Sequence, residues 1–190
     1  VAFHPRQEMR REKRDVIEQP IDAELDISGW ELSKALTLAV RSNATIAEWL
    51  QSPIVYEAHP RKATALRAFC AQALDRKAVT WHYLSLLQRQ QKLAGAPDGV
   101  LKLKRFFYMV RPALALRWMR LNELAMPPMA LSELLPGCAL PEDVTVSLFA
   151  LVAQKQSVRE AAVMLSPPPE LLELVTDEAS LAEQWLQDAM

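Results

Sequence analysis

An alternating segment near the start of the chain carries acidic side chains that could bind a metal ion. Apolar and acidic residues alternate in the order Ile21, Asp22, Ala23, Glu24, Leu25, Asp26 and Ile27. This alternation predicts a β-strand with one buried face and one acidic face. A carboxylate on a strand that leads into a helix is held rigidly, which suits a metal ligand. Asp26 is therefore a candidate ligand, and the alternative is a solvated edge strand whose acids discourage aggregation.

A basic stripe on a later predicted helix is the second candidate constellation. Lys104, Tyr108 and Arg111 are spaced i, i+4 and i+7, so they share one side of a helix. The stripe beside them is apolar and is predicted to face the core: Leu103, Phe106, Phe107, Val110 and Leu114. Cations in this position could neutralise a departing diphosphate in phosphoryl transfer. The alternative is a solvated basic face whose lysine stems cover apolar surface.

Three further residues could take part in binding. Trp30 and Lys34 follow Asp26 by about one helical turn, and a functional and a structural interpretation fit them equally well. His82 lies among apolar helix residues, where a lone histidine is more often a hydrogen-bonded structural residue than a catalyst. The sequence shows no glycine-rich phosphate loop, no zinc spacing and no setting for a serine or cysteine nucleophile.

The elements that must position these residues are mostly helical. The chain has only four glycines and thirteen prolines, and it is rich in helix-forming residues. After a turn at Ser28 and Gly29, the apolar period changes to that of an amphipathic helix beginning near Leu32. Further helices are predicted over residues 45–51, 61–74, 78–93 and 100–121, with Pro112 able to kink or restart the last of these, and a final helix ends near Gln187.

Composition limits the classes of function. The chain has 190 residues, half of them apolar, which fits one domain or one domain with the tail of another. The apolar runs are shorter than a membrane span, and the spacing of Cys70 and Cys138 fits neither a metal site nor a disulfide framework, so we expect a cytoplasmic protein that does not enter a membrane. The net charge of −1 argues against bulk attraction to nucleic acid, but basic residues 6–14 and 102–120 allow a local phosphate-binding surface.

Blocks of residues along the chain resemble a family of predicted nucleotidyltransferases in the DNA polymerase β superfamily, of the type associated with RNA repair and RNA ligases. The matching blocks are residues 14–18 (RDVIE), 25–36 (LDISGWELSKAL), Asn43, 48–50 (EWL), 52–56 (SPIVY), His82-Tyr83, 104–108 (KRFFY), Arg111-Pro112, Arg117-Trp118 and 127–129 (PPM). They extend over roughly residues 14–135, and this spread makes the resemblance more specific than one short motif.

The resemblance implies a chemistry and a place for Asp26. Enzymes of this superfamily carry a Gly-Ser turn, an Asp-x-Asp strand and a third acid, and the three acids bind two Mg²⁺ ions. Asp26 matches the third acid, as a catalytic residue and metal ligand. We expect the Gly-Ser turn and the Asp-x-Asp pair to precede Val1, in a catalytic part that this chain lacks. Residues 4–6 match the family, but residues 7–11 depart from it. Two interpretations stay open: the first strands differ from those of the family, or residues 7–13 contain a gap.

The resemblance also implies substrate contacts. It favours substrate binding by Lys104, Tyr108 and Arg111, with a nucleoside triphosphate as substrate and Mg²⁺ as cofactor. Lys34 and His82 are further candidate substrate-binding residues, although the resemblance assigns His82 no specific role. The expected acceptor is a hydroxyl on RNA.

The sequence therefore predicts an α+β fold that is mostly α. Residues 1–28 would end a polymerase-β-type catalytic sheet, and residues 29–190 would form a helical domain. The predicted function is nucleotidyl transfer by a longer protein, with this chain inactive by itself. The alternatives are a non-catalytic helical interaction module, a decayed transferase and a simple RNA-binding domain. The sequence leaves the oligomeric state open.

Overall fold

Helices form most of the described chain, and short strands form two small antiparallel pairs. The structure, a computed structural model, describes residues 16–18, 27–94, 101–157, 163–164 and 166–189. The α+β, mostly α fold class predicted from the sequence is confirmed. The division into residues 1–28 and 29–190 stays a prediction, because much of the first part lies outside the described residues.

Strand β1 (Val16–Glu18) pairs with strand β2 (Ser28–Trp30), with Val16 opposite Trp30 and Glu18 opposite Ser28. The predicted strand over residues 21–27 lies outside the described residues except for Ile27. The predicted turn at Ser28 and Gly29 is wrong, because both residues belong to β2. The extended backbone continues to Glu31, where the next helix is capped.

Side-chain caps start the first two helices. Glu31 caps α1 (Leu32–Val40) by accepting a hydrogen bond from the Ser33 backbone N–H at 2.8 Å. Asn43 caps α2 (Ala44–Leu50) by accepting from the Thr45 N–H at 3.0 Å. Such caps satisfy backbone donors that have no partner inside the helix. The predicted bounds of both helices agree with the structure to within one residue.

Three longer helices follow, and the last two form the centre of the fold. They are α3 (Pro60–Ala73), α4 (Arg76–Ala94) and α5 (Leu103–Asn122). Helices α4 and α5 run antiparallel, since Arg76 donates to the Met119 carbonyl at one end and Arg105 to the Leu93 carbonyl at the other. Helix α5 does not restart at Pro112, which is buried within it.

The remaining elements surround α5. They are β3 (Leu101–Lys102), α6 (Leu131–Leu134), a 3₁₀ turn (Leu135–Cys138), α7 (Glu142–Ser157), β4 (Val163–Met164) and α8 (Pro169–Asp188). Strand β3 pairs antiparallel with β4, and α8 packs against both α4 and α5. None of the helices in these described ranges is long and apolar enough to cross a membrane.

A buried carboxylate attaches α8 to α5. Glu178 is 1% exposed and lies between two arginines of α5. Arg117 Nη1 lies 2.9 Å and Arg120 Nη2 lies 2.7 Å from Glu178 Oε1. Arg117 also donates to the carbonyls of Cys138 and Ala139, so one guanidinium joins α5, α8 and the 3₁₀ turn.

Replacing Glu178 by alanine should destabilise the fold, because the partly buried guanidinium of Arg117 would lose its carboxylate. We expect Glu178→Ala to lower the free energy of unfolding by about 3 kcal/mol, measured by urea denaturation. The control is Glu173→Ala, at an exposed position of the same helix, with an expected change below about 0.5 kcal/mol. Equal stability of the two variants would contradict a structural role for the Glu178 cluster.

Candidate functional site

Glu48 is the centre of a polar cluster where α2 meets α4 and α5. The Tyr83 hydroxyl donates to Glu48 Oε1 at 2.8 Å, and Arg111 Nη2 lies 3.8 Å from the same oxygen. Tyr83 is only 2% exposed, whereas about a quarter of the Glu48 and Arg111 side chains is exposed. The cluster therefore lies at the edge of the core, with one side towards solvent.

Arg111 also holds the segment that follows α5. Its Nη2 donates to the Pro128 carbonyl at 2.9 Å and to the Met129 carbonyl at 3.3 Å. Its Nη1 is buried and has no hydrogen-bond partner in the part of the chain that the structure describes. A buried donor without a partner is costly. Nη1 could therefore still donate to a new acceptor.

His82 lies beside this cluster and contacts Tyr83 edge to face, with ring centroids 5.4 Å apart. Burial lowers the pKa of His82 from its ordinary value of 6.5, and the nearby Glu48 carboxylate partly opposes this shift. Burial, followed by the charge of Glu48, raises the pKa of Tyr83. At neutral pH both rings are therefore neutral, and His82 offers hydrogen bonds rather than a positive charge.

Lys104 and Tyr108 share the α5 stripe with Arg111 but lie at the surface. Lys104 is exposed, and Tyr108 is 52% exposed. Lys104 and Arg111 are seven residues apart, or about 10 Å along the helix. The predicted stripe therefore has a surface part that a phosphate could approach and a part engaged with Glu48 and backbone carbonyls.

An aromatic pair links the first hairpin to α2. The rings of Trp30 and Trp49 have centroids 4.2 Å apart and an interplanar angle of 35°. Trp30 packs against the core, while Trp49 is 43% exposed. Lys34 Nζ lies 6.0 Å from the centre of the Trp30 ring, at the outer limit of a cation–π contact.

Asp26, the predicted catalytic residue and metal ligand, lies outside the described residues. Within residues 27–94, 101–157, 163–164 and 166–189, no group of three or more His, Cys, Asp or Glu side chains could hold a metal ion. The described side chains alone therefore do not fit a Mg²⁺ site, and Asp26 and the metal stay predictions.

Neither cysteine is suited to nucleophilic chemistry at neutral pH. Cys70 and Cys138 are both buried and free. Burial raises the pKa of Cys70 and raises that of Cys138 to about 11, so the reactive thiolate is scarce.

No function was predicted for Glu48 or Tyr83 from the sequence. Both belong to blocks that carry the family resemblance, and this was the only indication in the sequence that they could matter for function. Tyr83 lies 35 residues from Glu48, and Arg111 lies 28 residues beyond Tyr83. Periodicity indicates which face of a helix is buried, but it does not indicate which polar residues meet across two helices.

Removing the Tyr83 hydroxyl should weaken the fold, because Glu48 would lose a short hydrogen bond from a buried donor. We expect Tyr83→Phe to lower the free energy of unfolding by about 1–2 kcal/mol, measured by chemical denaturation. The control is Tyr56→Phe, since Tyr56 is 98% exposed. A change at Tyr83 no larger than that at Tyr56 would show that the hydrogen bond contributes nothing to stability.

His82 should make stability depend on pH. Because the pKa of His82 is lower in the folded state, the unfolded chain binds more protons than the folded chain does. The free energy of unfolding therefore falls as the pH drops below about 6.5, and it stops falling once the pH is below the folded-state pKa. We expect His82→Gln to lose less stability than the parent protein when the pH falls from about 7.5 to about 5.5, a range that brackets the ordinary histidine pKa. Thermal unfolding across this range measures it, with exposed His59→Gln as control. Identical pH profiles for parent and His82→Gln would contradict the lowered pKa.

A family model described as RlaP, the RNA repair pathway DNA polymerase beta family, matches residues 1–180. The uncharacterized protein YcgL of Bacillus subtilis (strain 168) is 36% identical over 156 residues, which cover 81% of this chain and 54% of that protein. The chain thus spans about half the length of this curated relative. No solved structure matches it. The family match extends over nearly the whole chain and includes the cluster and the aromatic pair, so the chain belongs to the RNA repair pathway DNA polymerase β family.

Proposed function

We propose that the protein of which this chain is part transfers a nucleoside monophosphate from a nucleoside triphosphate to a hydroxyl group on RNA. Membership of an RNA-repair polymerase-β family is the observation that carries this proposal. The surface position of Lys104 and Tyr108 on α5 supports it, because the triphosphate needs cations and hydrogen-bond donors that solvent can reach.

The proposed roles differ from residue to residue. Lys104 and Lys34 would attract the phosphates, and Tyr108 would donate a hydrogen bond from its phenol. His82 would act as a neutral hydrogen-bonding group, since burial lowers its pKa. Arg111 would contact substrate through Nη1, which is buried and has no partner among the described residues, because Nη2 is bound to two carbonyls and faces Glu48.

Magnesium belongs to the proposal as the ion that would neutralise the triphosphate and activate the attacking hydroxyl. Asp26 would supply one ligand, together with the Asp-x-Asp pair that enzymes of this superfamily carry. Among the described residues, Lys104 and Tyr108 would meet the triphosphate from α5, where both are exposed and where the helix is held in place by its arginines.

Transfer should be tested on the full-length protein with Mg²⁺, an RNA oligonucleotide and a nucleoside triphosphate labelled at the α-phosphate. We expect label to enter the RNA. Asp26→Asn should reduce transfer by at least about 100-fold while preserving the fold by circular dichroism, because an amide is a poorer ligand for Mg²⁺ than a carboxylate. The control is Asp177→Asn, at an exposed carboxylate of α8, with transfer unchanged.

Two outcomes would contradict the proposal. Retained transfer in Asp26→Asn would remove Asp26 from the site. Absence of transfer by the parent protein, with each of the four nucleoside triphosphates, would favour the alternative of a non-catalytic helical interaction module.

A further inference from the structure

Trp49 of α2 combines an aromatic ring contact with an exposed position. It is stacked on Trp30 yet 43% exposed. Trp30 itself packs against the core, so the pair has an inner and an outer ring. Tryptophans bury a large apolar area when they serve packing alone. The outer ring therefore offers an aromatic surface that is held in place by the ring beneath it.

Positive charge lies on α1, beside the inner ring of this pair. Lys34 Nζ is 6.0 Å from the Trp30 ring centre, and Thr37 and Arg41 continue its side of α1 at exposed positions. Arg41 follows Lys34 by seven residues, or about 10 Å along the helix axis. An aromatic platform with cations along one side is the arrangement that binds nucleotides without sequence preference, with the base on the ring and the phosphates by the cations.

The negative charge next to Trp49 does not oppose such a ligand. Glu48 is the preceding residue, but its carboxylate accepts a hydrogen bond from Tyr83 of α4 and faces Arg111 of α5. Residues 53–60, which follow α2, are exposed, so this part of the described surface is open to solvent.

We infer that the outer ring of Trp49 stacks on a nucleobase, while Lys34 and Arg41 bind the phosphates attached to it. The inference rests on the proposed function for the class of ligand, but it concerns binding rather than transfer. The base could belong to the nucleoside triphosphate or to an unpaired nucleotide of RNA, since both present the same π-face and phosphate.

Binding by the full-length protein distinguishes these sources. Calorimetry with ATP and with UTP measures the first, and fluorescence anisotropy of a labelled eight-nucleotide single-stranded RNA measures the second. We expect Trp49→Leu to raise the Kd about tenfold for at least one of these ligands, and Trp49→Phe to restore most of the affinity, because a smaller aromatic ring still stacks. The control is Trp81→Leu, since Trp81 is 50% exposed on α4 and stacks on no ring in the described ranges.

The results separate the possibilities. A higher Kd of Trp49→Leu for RNA alone assigns the platform to the acceptor. A higher Kd for ATP and UTP alone assigns it to the incoming nucleotide. Either result supports the inference. Equal Kd values for Trp49→Leu and Trp81→Leu with every ligand would overturn it. A lower Tm for Trp49→Leu with unchanged Kd values would also overturn it and show that Trp49 packs against another part of the protein. If RNA labelling persists in Trp49→Leu with unchanged Kd values, the inference fails while the proposed function stands.

Discussion

The burial of α5 is the constraint on which the rest of the helical structure depends. Eleven of its residues are buried, and they are spread around the helix rather than along one stripe. A helix that is apolar on all sides must be enclosed by other elements. Helices α4 and α8, the 3₁₀ turn and α6 provide that enclosure, and each of them packs against α5. The apolar residues of α5 thus account for the packing of these four elements around it.

The arginines of α5 are the exceptions to its apolar surface, and they determine where other segments attach. Arg117 and Arg120 bind Glu178 of α8, while Arg111 binds the segment after α5 and faces Glu48 of α2. A charge at the edge of a core is tolerated only when it has partners. These pairs therefore hold α8 against α5, and Glu48 joins α2 to α4 and α5.

The polar residues of the chain divide by environment into two groups. Tyr83, Glu178 and Arg117 are largely buried and bonded to protein groups, so their contribution is to stability. Lys104, Tyr108 and Trp49 are exposed on elements that the first group holds rigid. Binding groups on rigid helices keep their geometry when a ligand arrives. This separation is the structural basis for proposing that the exposed group contacts nucleotide and RNA.

Hydrophobic periodicity and proline positions in the sequence by themselves determined the helices and the mostly α class. Each is a local property, and the bounds of α1, α2 and α3 agree with the predictions to within one residue. Local signals were misleading at Ser28 and Gly29, which resemble a turn but pair with β1.

The contacts of the candidate site were decided only by the tertiary structure. Glu48 meets Tyr83 and Arg111, and Trp30 meets Trp49, because helices and a hairpin far apart in sequence pack together. Sequence spacing placed Lys104, Tyr108 and Arg111 on one stripe, but packing made Arg111 a structural contact and left the other two at the surface. Periodicity fixes the side of a helix on which a residue lies, whereas its partner depends on which helix is packed there.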